Sequence, residues 1–328
     1  MAVGRRALLV AAAGLGLWAS AWVHAQQGRI PRIGFLSLIS LKSDSRIPGF
    51  VVGLKELGYV EGKTVTIEWR SADGVAERLV SLAQDLVRAK MDVIVAIQPQ
   101  AVDAARLATR EIPIVFAAAQ DPVGMGLATS LSRPGGNVTG ASAMATDLLP
   151  KQLELLQAAL PTMTRIAVLL NPTNPSGSRV MRRTVEQAAS KANISVEFIE
   201  ARNSEELASA FSRARASKVN AVVSGPDSFF IQARAEMAKA ALASGLPTMF
   251  MQREHVDAGG LMSYGPNMTE NYRRAANFVD RILKGAKASE LPIEQPAKLD
   301  LVINLKTAQA VGLTIPPALL VRADDVLR

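Results

Sequence analysis

The chain has 328 residues, of which 49% are hydrophobic, and this length suits two domains of about 150 residues with sizeable cores. The absence of cysteine excludes disulfides, thiolate chemistry and a lipid-modified N-terminal cysteine. The formal net charge is +8, but no basic run interleaves with aromatic residues, so the composition argues against nucleic acid as a partner.

The first 25 residues have the three-part layout of a secretory signal peptide. Arg5 and Arg6 are basic, residues 7–23 are apolar, and Val23-His24-Ala25 places small residues before a cleavage site. A membrane anchor is the alternative, since a run of about 17 apolar residues is at the short limit for spanning a bilayer. The small residues that end the apolar run favour cleavage near Gln26. Cleavage there predicts a periplasmic chain without a lipid anchor.

Short β-branched runs then alternate with amphipathic helical stretches. Strands are predicted at 32–36, 65–69, 93–97, 114–116, 138–140, 166–170, 196–199, 221–224, 248–251, 261–264 and 299–303. Several of these runs are continuously apolar, which is typical of parallel strands covered by helices on both faces. Asp121-Pro122 is a good helix start, and Lys284-Gly285 is a good helix end.

The β-α alternation occurs twice, over residues 30–140 and about 160–260. This predicts the α/β class, with two doubly wound Rossmann-like lobes joined by a multi-strand hinge. The first lobe is predicted to comprise residues 29–140 plus 261–292, and the second 141–260 plus 293–328. Several crossings between the lobes would form a hinge, and the two lobes would enclose a ligand cleft.

Ligands of open α/β sheets bind outside the carboxyl ends of the strands, and this rule selects the candidate residues. In the first lobe they are Ser37, Gln98, Gln100 and Gln120, and in the second lobe they are Asn171, Asp227, Ser228, Phe229 and Arg253. The amides, Ser37 and Asn171 offer neutral donors and acceptors for a carboxylate or hydroxyl; solvated loops or caps are the alternative.

Asp227 is the candidate with the most specific chemistry. Its carboxylate suits the ammonium group of an amino acid, although it is equally suited to cap a helix that starts near Ser228, and the two roles can coexist. Arg253 either binds a ligand carboxylate or forms an ion pair between the lobes. Phe229 either stacks on the ligand or belongs to the core.

Little in the sequence indicates catalysis. His255 is the only histidine after the predicted leader, and no G-x-S-x-G motif accompanies it. No zinc-type ligand set is present, and Gly124-Met125-Gly126 lacks the third glycine of a dinucleotide motif, so neither a metal nor a cofactor is predicted. A secreted hydrolase that uses His255 is a remote alternative.

Eight stretches along nearly the whole predicted mature chain resemble the substrate-binding protein family of ABC transporters, the group that includes tryptophan- and other amino-acid-binding members. They are 57–63 (LGYVEGK), 112–116 (IPIVF), 121–123 (DPV), 133–140 (RPGGNVTG), 171–175 (NPTNP), 258–265 (AGGLMSYG), 301–308 (LVINLKTA) and 312–317 (GLTIPP).

The resemblance implies the type 1 periplasmic binding fold and a monomeric solute-binding component of an ABC importer. Such a protein binds a small molecule by hinge closure and presents it to the permease subunits in the inner membrane. An amino acid or related small carboxylate is the preferred ligand, and a purine or other heterocycle is second. A periplasmic sensor that presents its ligand to a receptor kinase is the alternative function.

Overall fold

The computed structural model describes residues 29–328 apart from Ser43, Gln120, Met144 and Ala297, and apart from the side chains of residues 145–147 and 176. The predicted leader, residues 1–25, and the candidate Gln120 lie outside the described residues. No helix in the described part of the chain has the length and apolar character needed to cross a membrane.

The first sheet has five parallel strands in the order β2-β1-β3-β4-β5. Their bounds are β1 Arg32–Ser37, β2 Thr66–Ser71, β3 Val93–Ile97, β4 Ile114–Ala119 and β5 Val138–Ser142. Every residue of β3 is buried, as its unbroken apolar run predicts for a central strand covered on both faces.

The second sheet has seven strands in the order β12-β11-β10-β9-β8-β6-β7, with the β10–β11 pair antiparallel and the others parallel. Their bounds are β6 Arg165–Leu170, β7 Ser195–Glu200, β8 Ala221–Ser224, β9 Thr248–Phe250, β10 Met262–Pro266, β11 Leu299–Asn304 and β12 Asp325–Leu327. The short edge strand β12 was not predicted from the sequence.

Helices cover the sheets and complete the hydrophobic cores. Their bounds are α1 Ile47–Glu56, α2 Arg78–Arg88, α3 Pro99–Ala108, α4 Ala145–Ala159, α5 Pro175–Lys191, α6 Ser204–Ala216, α7 Ser228–Gln232, α8 Arg234–Ala243, α9 Arg253–Asp257, α10 Met268–Leu283, α11 Leu305–Ala310 and α12 Pro317–Leu320. A 3₁₀ turn covers Ala288–Glu290. The predicted helix end is confirmed: Lys284 follows the last residue of α10, and Gly285 adopts φ +98°.

The chain passes between the two sheets three times. It leaves β5 of the first sheet for α4, which packs on α5 and β10, and it leaves β10 of the second sheet for α10, which packs on α1. It crosses finally after Glu294, whose backbone pairs with Gly140 and Ser142, to enter β11 of the second sheet. The predicted α/β class, with two doubly wound lobes and a multi-strand hinge, is confirmed.

Strand β10 corrects one part of the predicted lobe boundaries. Met262 pairs with Met249 of β9 and with Ile303 of β11, so residues 262–266 belong to the second sheet and not to a first-lobe segment starting at 261. The return to the first lobe begins instead with α10, because its buried face packs on α1, β3, β4 and β5. The other boundaries stay a prediction.

Helix α10 packs closely on α1 at two glycines of α1. A Cβ atom at Gly49 would lie 2.3 Å from the carbonyl oxygen of Thr269, and one at Gly53 would lie 2.4 Å from that of Arg273. Because these distances are shorter than any real Cβ contact, the glycines permit the close approach of the two helices. The resulting contact fixes α10 to the first lobe, although it directly follows a strand of the second.

Candidate ligand-binding cleft

The carboxyl ends of strands from both sheets meet at a cleft between the lobes. A cavity of about 50 Å³ lies there, lined by Arg46, Gln98 and Tyr272 on one side and by Asp227, Ser228 and Gln252 on the other. A wider cavity of about 500 Å³ adjoins it at Asp227 and Ser228, and Gln100, Asn171 and Phe229 also line it. The strand-end rule therefore placed most of the candidates in one region.

Asp227 lies between the two cavities and ends the loop after β8. It caps α7, because one carboxylate oxygen accepts a hydrogen bond from the Phe229 backbone N–H at 2.8 Å. The same carboxylate accepts from the side-chain amides of Asn171 at 3.0 Å and Asn174 at 2.8 Å. Within the described residues Asp227 forms no ion pair, so neutral donors hold an anionic group at the cleft. The capping role that the sequence left open is therefore observed, and the binding of an ammonium group stays a prediction.

Gln98 lies opposite Asp227, at the end of β3. Its side-chain oxygen accepts from the Leu38 backbone N–H at 2.9 Å and lies 3.4 Å from the Ser37 hydroxyl oxygen. Its backbone has φ +73° and ψ 149°, a combination that is costly for a residue with a Cβ. The Nε2 atom is buried, and no acceptor among the described residues lies within hydrogen-bond distance of it.

A buried ion pair that the sequence analysis missed lies beside Gln98. Arg46 donates from Nε and Nη2 to Asp44 at 2.6 and 2.9 Å, and the Tyr272 hydroxyl donates to the same carboxylate at 3.1 Å. The guanidinium lies 5.1 Å from the centre of the Tyr272 ring and is only 5% exposed as a residue. Burial opposes the charge, but Tyr272 and Asp44 outweigh it and raise the pKa of Arg46 above its ordinary value.

The second lobe adds Gln252, which was not selected as a candidate from the sequence. Gln252 is 6% exposed, and its Oε1 is buried with no donor among the described residues. Three residues further along, His255 is buried and its ring stacks on Phe250 with centroids 4.5 Å apart.

The remaining candidates occupy different positions relative to the cleft. Ser37 is fully buried behind Gln98, and its hydroxyl donates to the Ile39 carbonyl at 2.8 Å. Asn171 is buried and orients Asp227, while Phe229 is half-buried against Phe230 and lines the wider cavity. Gln100 and Ser228 line the cleft, and the binding roles of all these residues stay predictions.

Arg253 is not brought together with the other candidates. It is about 43% exposed and pairs with Asp257 at 3.3 Å and with Asp325 at 2.7 Å. Both partners lie on elements of the second sheet's lobe, so the ion pair expected between the lobes is instead formed within one lobe. The cavity that Arg253 lines lies at the hinge, beside Asn267 and Thr269.

Comparison with known proteins supplies an independent test of the family resemblance. The family model described as "ABC transporter substrate binding protein" matches residues 33–327. A protein named tyrosine-binding protein, from Clostridioides difficile strain R20291, is 28% identical over 282 residues, which is 86% of this chain and 81% of the relative.

Two solved structures are informative about shape. An ABC domain from Streptococcus pneumoniae in complex with L-Trp matches with a TM-score of 0.83 and 29% identity, over 91% of this chain and 100% of that one. The ligand-free, open structure of a substrate-binding protein with adhesive properties from Clostridium difficile matches with a TM-score of 0.69 and 26% identity, over 91% and 99% of the two chains. By this measure the overall shape of the chain is more similar to the L-Trp complex than to the ligand-free, open structure.

Proposed function

Because the chain belongs to the family of ABC transporter substrate-binding proteins, we propose that it binds an amino acid with an aromatic side chain and delivers it to an ABC importer. Binding takes place in the cleft between the lobes. The protein acts in the periplasm as a monomer, after removal of residues 1–25, and needs neither a cofactor nor a catalytic residue.

The observation that carries this proposal is the carboxylate of Asp227 at the cleft. Its hydrogen-bond partners are neutral amides and a backbone N–H, so its charge is available to a cationic group. The neighbouring cation, Arg46, is already balanced by Asp44. The ammonium group of an amino acid would balance the negative charge of Asp227, since a charge-assisted hydrogen bond to a carboxylate is among the stronger ones.

The names of the relatives support an aromatic side chain in the ligand. One is named for tyrosine, and the other was solved with L-Trp. In this chain Phe229 and Leu38 line the wider cavity, where an aromatic ring would be in contact with apolar surface. Closure of the lobes around the ligand would then create the shape that the permease subunits recognise.

Substitution of Asp227 tests the proposal. Asp227→Asn removes the charge but keeps an oxygen for the Phe229 N–H, so we expect at least tenfold weaker binding of L-tyrosine or L-tryptophan, equal to about 1.4 kcal/mol. Isothermal titration calorimetry measures the affinity, and a thermal melt checks the fold. Asp257→Asn is the matched control, because this exposed residue pairs with Arg253 outside the cleft.

Two results would contradict the proposal. If the unsubstituted protein binds no amino acid in a screen of amino acids, purines, carboxylates and sugars, the ligand class is wrong. If it binds L-tyrosine or L-tryptophan and Asp227→Asn binds it equally well, the role of Asp227 is wrong.

A further inference from the structure

Two buried amide atoms without partners line the same small cavity from opposite lobes. Gln98 Nε2, a donor, belongs to the first lobe, and Gln252 Oε1, an acceptor, belongs to the second. Neither atom has a hydrogen-bond partner among the described residues. A buried polar group without a partner is costly, so two such atoms that face one cavity point to a ligand that completes their hydrogen bonding.

The surroundings of Gln98 determine which end of its amide faces the cavity. Because Oε1 accepts from the Leu38 N–H, the donor end is directed away from that loop. The next residue, Pro99, begins the ten-residue helix α3, and the positive end of the helix dipole favours an anion beside Gln98. The first lobe thus presents a hydrogen-bond donor at a position where the helix dipole favours a negatively charged group.

The second lobe presents the opposite chemistry. Gln252 Oε1 and the Asp227 carboxylate are both acceptors, and Asp227 adds a negative charge. These two residues follow the neighbouring strands β9 and β8, so they lie side by side at one sheet edge. An ammonium group, with three donors and a positive charge, matches this side of the cavity.

We propose that the α-amino acid head group of the ligand bridges the lobes, with its carboxylate bound by Gln98 Nε2 and its ammonium bound by Gln252 Oε1 and Asp227. This inference rests on the proposed function. A ligand without the carboxylate satisfies only the second lobe, and a ligand without the ammonium satisfies only the first. The cleft therefore selects zwitterions, and both charged groups are needed to hold the lobes together.

Ligand analogues test the bridge on the protein purified from the periplasm of an expression host. The probes are L-tyrosine, tyramine and 3-(4-hydroxyphenyl)propionate, with the matching series of L-tryptophan, tryptamine and indole-3-propionate. We expect each analogue to bind at least tenfold more weakly than its amino acid. We also expect only the amino acids to reduce the radius of gyration measured by small-angle X-ray scattering.

Substitutions assign the two ends of the bridge. Gln98→Glu keeps the acceptor for Leu38 but replaces the donor by a carboxylate, so L-tyrosine should bind at least tenfold more weakly while tyramine changes less than threefold. Gln252→Leu removes the acceptor and should weaken L-tyrosine and tyramine equally. Gln309→Glu makes the same charge change at an exposed position of α11 and should leave all affinities unaltered.

The outcomes separate the two proposals. Failure of the unsubstituted protein to bind any amino acid overturns the proposed function and this inference with it. Tight binding of L-tyrosine or L-tryptophan together with equally tight binding of its amine overturns the bridge alone. So does a Gln98→Glu protein that melts normally and keeps its preference for the amino acid; if that variant does not fold, Gln98→Met, which also lacks the donor, serves in its place.

Discussion

At the scale of single residues, His255 is placed where a positive charge is costly. It is 2% exposed, and burial lowers the pKa of His255 to about 4, with the nearby cations Arg234 and Arg46 contributing in the same direction. In the unfolded chain a histidine titrates near 6.5. The folded state therefore holds the neutral ring over a pH range in which the unfolded state takes up a proton.

This difference predicts a pH-dependent stability. The contribution of the buried, neutral His255 to the free energy of unfolding is fully present above about pH 6.5. It is lost as the pH falls to about 4, at roughly 1.4 kcal/mol per pH unit and about 3 kcal/mol in total. Urea unfolding at several pH values measures it. A His255→Leu protein should lose less stability than the parent over this range, and an identical loss in both would show that other groups are responsible.

The role of a residue could be predicted only where its neighbours in the sequence determine that role. The helix cap formed by Asp227 was identifiable, because this residue follows a buried strand and precedes a helix. The Asp44–Arg46 pair was not, since its third member, Tyr272, is 228 residues from Asp44 and no local pattern joins them. Gln98 was selected as a strand-end amide, but its positive φ has no signal in the sequence.

At the scale of helices and strands, unbroken apolar runs predicted the bounds of the buried strands well. The strands predicted at 93–97 and 221–224 match β3 and β8 to the residue, because buried parallel strands consist of unbroken apolar residues.

The prediction of a helix after Asp121-Pro122 was wrong. Asp121 accepts from the Gly124 N–H at 2.9 Å, and the chain forms turns. A capping residue needs a helical continuation, and Gly126 at φ +66° does not provide one.

The contact of α1 with α10 yields a prediction at this scale. Gly53→Ala forces a Cβ against the Arg273 carbonyl and the Ala276 side chain, so we expect the free energy of unfolding to fall by about 1–3 kcal/mol. Urea unfolding measures the change. Gly136→Ala is the control, since a Cβ there meets nothing within 4 Å and the position is exposed. Equal stability of both variants would mean that the helices separate without cost.

At the scale of the whole molecule, two lobes with several crossings between them could be predicted from the sequence, but the sheet to which β10 belongs could not. A strand that ends one alternating run can pair with either sheet, and only the pairing of Met262 with Met249 decides.

The greater similarity to the L-Trp complex than to the ligand-free, open structure predicts a change in solution. Without ligand, the protein should scatter X-rays as a more extended particle than the structure described here, and a saturating amino acid should bring the two into agreement. Asp227→Asn provides the weak-binding control, at the lowest ligand concentration that saturates the unsubstituted protein. Identical scattering with and without bound ligand would contradict closure.

The seating of α10 also determines where such a motion has to take place. Pro266 is the last residue of a strand in one sheet, Met268 is the first residue of a helix fixed on the opposite lobe, and only Asn267 separates them. Its side chain accepts from the Glu270 N–H at 3.1 Å, which ties it to the helix. Residue 267 is therefore one of the three points at which the chain has to pivot for the proposed closure. A rotation about such points is amplified with distance, so the far rims of the lobes move most and are the surfaces best placed for a membrane partner to sense.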